Sequence, residues 1–125
     1  MGFMEAVQSA VANRYADFRG RSRRAEYWWF FLFTIILQIV LMAFAAAMPT
    51  IGGILTLLIL LALIIPGIAV SIRRFHDLDK SGWWILIGFV PILGFILLIY
   101  WFTQRGTVGD NRFGPDPLAG EQPGY

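Results

Sequence analysis

An all-α integral membrane protein is the fold class this sequence predicts. It would have three transmembrane helices, a short amphipathic interfacial helix before them and an irregular Gly/Pro-rich C-terminal tail. Three observations carry the expectation. Of 125 residues, 58% are hydrophobic and only 14% charged, against about 45–50% and about 25% in soluble domains. No Asp, Glu, Lys, Arg or His occurs between Glu26 and Arg73, or between Lys80 and Arg105. The remaining charges gather in three patches, which excludes an ordinary soluble enzyme and fits a single membrane domain over 1–125.

The elements follow in order. In 1–27, Phe3, Val7, Val11, Tyr15 and Phe18 recur every three or four residues among Glu5, Gln8, Ser9, Asn13 and Asp17. That spacing predicts an interfacial helix with one apolar face. The charge-free runs contain three segments, 28–48, 51–72 and 83–102. Each is about 20 residues long, or about 30 Å as a helix, the thickness of a bilayer's hydrocarbon core. Without water to bond the backbone, such runs are expected to be helical despite β-branched residues such as Ile35, Ile36, Ile39 and Val40. Pro49, Gly52 and Gly53 mark a tight turn between the first two segments, and Pro66 and Pro91 mark kinks. Ala43 with Ala47, and Gly67 with Ser71, are small-residue pairs suited to close helix approach. Ala45-Ala46-Ala47 resembles a signal-cleavage site. The apolar stretch before it exceeds the usual signal core of about 7–15 residues, so the first segment reads as a retained anchor.

Orientation follows from Lys and Arg. The N-terminal segment carries Arg14, Arg19, Arg21, Arg23 and Arg24; the loop 73–82 carries Arg73, Arg74 and Lys80; the tail 103–125 carries Arg105 and Arg112. With three crossings, the first two groups share a side, which the positive-inside rule makes cytoplasmic. The tail is then expected in the periplasm. Trp28, Trp29, Trp83 and Trp84 would mark the cytoplasmic interface and Trp101 the opposite one. A re-entrant third segment needs no aromatic anchor at both ends, so the aromatics favour a true crossing.

The first two polar patches hold the candidate site residues. Arg21, Arg24, Glu26, Arg73, Arg74, His76 and Asp77 would share one membrane face as a composite binding site, arginine being suited to bidentate phosphate or carboxylate contacts. His76 as general base with Asp77 orienting it is the one catalytic arrangement the residues allow. Asp77 and Asp79 would be the pair to share a divalent cation with lipid phosphate. The alternative to both is an intramolecular salt-bridge network pinning the loop to the N-terminal segment through Glu26. With one His and no Cys there is no zinc-like ligand set, and no cofactor or resident metal is implied. In the tail, Asn111, Arg112, Phe113, Gly114 and Pro115 form a turn-favouring motif, and residues after Leu118 read as a frayed terminus.

Together the patches resemble a family. Residues 18–28 (FRGRSRRAEYW), then Arg73-Arg74-Phe75-His76-Asp77 with Ser81-Gly82-Trp83-Trp84, then residues 109–117 (GDNRFGPDP) are similar, in order and spacing, to the domain-of-unknown-function family 805. Phe75 stands where family patterns often carry Leu. The resemblance covers about Tyr15 to Pro117 and implies a bacterial cytoplasmic (inner) membrane location, multi-pass, without implying an activity.

Function classes can be ranked on these residues. The segments hold Thr34, Gln38, Thr56 and Ser71 but no ionisable group, which argues against ion translocation except as part of an oligomer. Nucleic acid is not expected as a partner, because no aromatic-rich soluble module accompanies the basic run. The leading expectation is an interaction or adaptor protein whose cytoplasmic face takes anionic lipid headgroups or a protein partner, with homo-oligomerisation open. The alternative is an interfacial enzyme acting on a lipid or lipid-linked phosphate through His76 and Asp77.

Overall fold

Two long apolar helices form the frame of the molecule, seen in a computed structural model that describes residues 2–118. The first described element, α1 (Phe3–Gln8), runs on through a π-helical turn, Ser9–Asn13, into an irregular basic stretch. Helix α2 spans Arg24–Ala47 and α3 spans Pro49–Asp77. Both are long and apolar enough to cross a membrane. A 3-10 helix, Gly82–Phe89, and a short helix α4, Leu93–Phe102, complete the architecture. Among the described residues there is no strand, only an isolated bridge between Asn111 and Gly114.

The turn between α2 and α3 is a single residue, Met48, followed by Pro49 at the first position of α3. There proline's missing N–H costs no helical bond. Close approach at this end depends on Gly52, since a Cβ there would lie 2.5 Å from the Ala45 Cα. Gly67 meets nothing within 4 Å, so of the candidate small residues it is not one that brings helices together. Helix α3 runs through Pro66 without ending. The hydroxyls of Thr34, Thr56 and Ser71 are absorbed by carbonyls of their own helices, as apolar surroundings require.

The N-terminal helix has its periodicity, but its face differs from the expected one. Ala6 and Ala10 are fully buried, and Ala10 packs with Phe30 and Val70, while Phe18 lies beyond the helix and is exposed. Small residues let the helix lie flat on the α2–α3 pair, with Phe3 edge-on to Trp29 at 5.8 Å.

The third apolar segment requires a correction. Residues 83–102 do not form one continuous helix and do not carry the chain to the far end of the frame. The 3-10 helix and α4 make a hairpin, turned at Pro91 and Ile92, whose φ of +64° is rare for a β-branched residue. Gly94 lies against the Ile87 carbonyl, where any Cβ would collide. The hairpin's two ends meet, with Trp84 and Trp101 ring centroids 5.7 Å apart and Lys80 over both rings at 5.4 and 4.9 Å. Aromatic anchors stand at both ends of the segment because those ends are neighbours, so Trp101 does not mark an opposite interface.

The tail is corrected with it. Instead of lying across the molecule from the N-terminal segment, it docks on the stretch before α2 and on the last turn of α3, through Arg21 and Asp77. The Thr107 amide donates to the Asp77 carbonyl at 2.7 Å. Gly106 presses on the Asp77 carboxylate, leaving no room for a side chain. The reading of residues after Leu118 as a frayed terminus lies outside the described residues.

Candidate functional site: a buried arginine–carboxylate hub

The start of α2, the end of α3, the basic stretch before α2 and the docked tail converge on two carboxylates. Arg21, Glu26, Arg73, Arg74, His76 and Asp77 are all buried, Arg73 and Arg74 at 0% exposure. Burying charge is unfavourable unless it is paired and its remaining donors are bonded, and the structure meets that demand atom by atom.

Glu26 is the first centre. Its Oε1 accepts from Arg73 Nη2 at 2.7 Å and from the Ser22 hydroxyl at 2.6 Å, and its Oε2 accepts from the Ser9 hydroxyl at 3.0 Å. Arg14 stands 3.7 Å from that second oxygen. Arg73 is then completed by the Ser22 hydroxyl at 2.7 Å and by the carbonyls of Arg14 and Asp17 at 3.1 and 2.7 Å. Asp17, at the edge of this group, is pushed up by burial but drawn below its ordinary value by the Arg19 amide and by Arg14.

Asp77 is the second centre. Arg21 reaches its Oδ1 at 2.9 Å and Arg74 its Oδ2 at 2.6 Å. Arg21 goes on to donate to the carbonyls of Gly109 at 2.7 Å and Thr107 at 2.5 Å. Arg74 donates to the carbonyls of Ser22 and Phe102, both at 3.3 Å, and to that of Gln104. The irregular tail thus supplies carbonyl oxygens that no helix uses, and arginine's fan of donors collects them. A third carboxylate, Asp116, shapes the tail itself. It accepts from Arg105 at 2.9 Å and from the amides of Gly109 and Leu118 at 3.0 and 2.9 Å. Burial pushes its carboxyl up, but Arg105 and those amides hold it well below the usual carboxylate range.

The structure therefore brings together Arg21, Glu26, Arg73, Arg74 and Asp77, as the intramolecular-network reading has it. The expected His76–Asp77 arrangement is absent. The imidazole Nδ1 donates to the Gly20 carbonyl at 2.9 Å, and the ring stacks on Phe113 at 3.9 Å between centroids. Asp77, held by two arginines, is not available to orient it. Asp79 faces outward to Arg112 at 3.3 Å and does not converge with Asp77 on a common ion. Among the described residues no group of three metal-ligating side chains converges. In the tail motif, Asn111 donates to the His76 carbonyl at 2.9 Å and Gly114 lends its carbonyl to Arg21 at 3.3 Å. Arg112 donates to the Asp79 carbonyl at 3.0 Å, and Pro115 continues the exposed turn.

Arg24 stands apart from its neighbours. Its Nη1 donates to the Thr103 carbonyl at 3.1 Å, but its Nε and Nη2 are buried with no partner among the described residues. Sequence reasoning passed over Ser9, Ser22, Gly106 and Asp116: Ser9 reaches Glu26, Ser22 reaches Arg73 and Gly106 reaches Asp77 across the fold, while Ser22 also meets Glu26 and Asp116 meets Arg105 and Gly109 close along the chain. Two local signals were present: Ser22 four residues before Glu26, and the opposite charge of Arg105 and Asp116 at the two ends of the tail turn.

The family model described as "Protein of unknown function (DUF805)" matches residues 15–115. The chain is 43% identical over 111 residues to the inner membrane protein YhaH of Escherichia coli (strain K12), covering 86% of this chain and 92% of that protein. It is 40% identical over 111 residues to the inner membrane protein YhaI of the same strain, covering 89% and 94%. No solved structure matches. The chain belongs to the DUF805 family, and its long apolar helices and these relatives make it a membrane protein.

Proposed function

We propose that this DUF805 protein is a membrane interaction protein whose charged end faces the cytoplasm and engages anionic lipid headgroups. One observation carries the reading: with the tail docked beside α3, all ten Lys and Arg side chains lie at one end of the molecule. The opposite end, at the Met48 turn, has no charged residue, and neither does the hairpin turn at Pro91-Ile92. By the positive-inside rule that asymmetry supports a cytoplasmic N-terminus and tail with two full crossings. Juxtamembrane basic groups are attracted to anionic leaflets by about 1 kcal/mol each. The enzyme reading is weakened because His76 has no orienting carboxylate.

Two measurements test the proposal. A cytoplasm-active reporter fused to the C-terminus should be functional, and a periplasm-active one silent; the reverse overturns the orientation. Phospholipid retained after mild detergent extraction should be enriched in anionic headgroups over the parent membrane. Equal proportions would sink the lipid reading.

A further inference from the structure

Arg24 is the arginine that the hub leaves unfinished. The carboxylate oxygens of the hub and the tail are committed elsewhere: those of Glu26 to Arg73, Ser22 and Ser9, those of Asp77 to Arg21 and Arg74, and those of Asp116 to Arg105. Arg24 stands close enough to Arg74 for the two cations to oppose each other, as Arg105 and Arg74 also do. Arg24 Nε and Nη2, with Arg105 Nε, are buried donors without an acceptor among the described residues. Such groups are costly to leave unmatched, and a guanidinium fork matches the oxygens of a phosphate.

A second, independent feature adjoins it. Along α2, Tyr27, Trp28 and Phe31 follow Arg24 at three, four and seven positions, on one helix face. With Leu98 and Phe102 of α4 they line an apolar groove of about 200 Å³. Trp28 Nε1 donates to the Phe102 carbonyl at 2.9 Å, one residue from the carbonyl that Arg24 holds. The cationic group and the apolar groove are therefore adjacent, in the order headgroup and acyl chain.

We infer that this is a single-phospholipid site, with the phosphate on the Arg24 fork and one acyl chain in the groove between α2 and α4. The inference rests on the lipid reading above and narrows it to one seat. The Arg24–Thr103 contact lies at the exposed edge, so the phosphate enters there and the chain descends from it toward the apolar stretch.

The test is a native mass-spectrometric titration of the delipidated full chain in detergent with phosphatidylglycerol, with inorganic phosphate as competitor. Arg24→Ala should weaken binding roughly tenfold or more, the usual loss for a charge-assisted contact. Leu98→Trp should weaken it by filling the groove, and the exposed Arg19→Ala should bind like the native chain. If Arg24→Ala does not fold, Arg24→Lys carries the test: it keeps a charge for the Thr103 contact but presents no fork, and should still lose affinity. Native affinity in folded Arg24→Lys and Leu98→Trp overturns the seat, as does phosphate that displaces the lipid at comparable concentration. Should both variants bind phosphatidylglycerol like the native chain while anionic lipid is still enriched on extraction, the seat falls while the broader reading stands. No anionic preference in the lipid retained by the native chain removes the broader reading alone, provided a phospholipid adduct that both Arg24→Lys and Leu98→Trp weaken persists in the titration.

Discussion

The two ends of this molecule hold together by opposite means. At the charged end, the largest fully buried side chains are Arg73 and Arg74, and the core there is built from ion pairs and carbonyl contacts. Along α2 and α3, Ile39, Leu57 and Leu58 are exposed at 61%, 59% and 59%. In water that pattern would be inverted. In lipid the apolar side chains gain nothing by leaving one hydrocarbon for another. Specific stabilisation in this chain is therefore concentrated where charges leave the solvent together, and the long helices contribute length and close contact at Gly52.

Four measurements break or sharpen that contrast. Asp77→Ala should have the largest effect, because it strands two buried guanidinium groups; about 3–5 kcal/mol of stability is at stake. A large drop in thermal midpoint in detergent, with proteolysis opening in the tail, is expected. Gly106→Ala comes next, since its methyl must enter space held by the Asp77 carboxylate and carbonyl. Overpacking of that kind costs about 1–3 kcal/mol, read as tail cleavage with α2 and α3 still helical by circular dichroism.

The third effect is smaller and depends on pH. Asp116 has a depressed folded-state value, so its contribution is fully present above the ordinary aspartate value and lost as pH falls below it. Tail protection should weaken below about pH 4, and Asp116→Asn should abolish that dependence while lowering protection at neutral pH. Smallest of all, Leu57→Ala on the lipid-facing surface should shift stability by less than about 0.5 kcal/mol. A larger loss would show that this face is covered by another helix and would end the contrast between the two regions.

How far the residues announce this architecture differs from part to part. The apolar runs are plain in the sequence because bilayer thickness demands a certain length without charge, and α2 and α3 have it. The basic and acidic residues of the hub are equally visible, and Glu26 as the link to the loop is legible from its isolation among arginines. The third segment misleads for a physical reason. A crossing helix and a hairpin of two short pieces need the same number of apolar residues and the same aromatic ends. Pro91 is compatible with a kink or a reversal, and the deciding contact, Gly94 on the Ile87 carbonyl, is invisible until the backbone turns.

The sequence by itself determined the membrane class, the family, the two long helices and the residue types of the charged end. Those depend on composition, run length and local motif, all of which act along the chain. Only the tertiary structure decided that the third segment folds back, that the tail returns to Asp77, and which arginine lacks a partner. Each of these rests on partners far apart in sequence, such as Arg21 with Asp77 at a separation of 56 residues. Which oxygen satisfies which guanidinium is settled by three-dimensional packing, because a buried charge accepts whatever acceptor the fold delivers within hydrogen-bond reach.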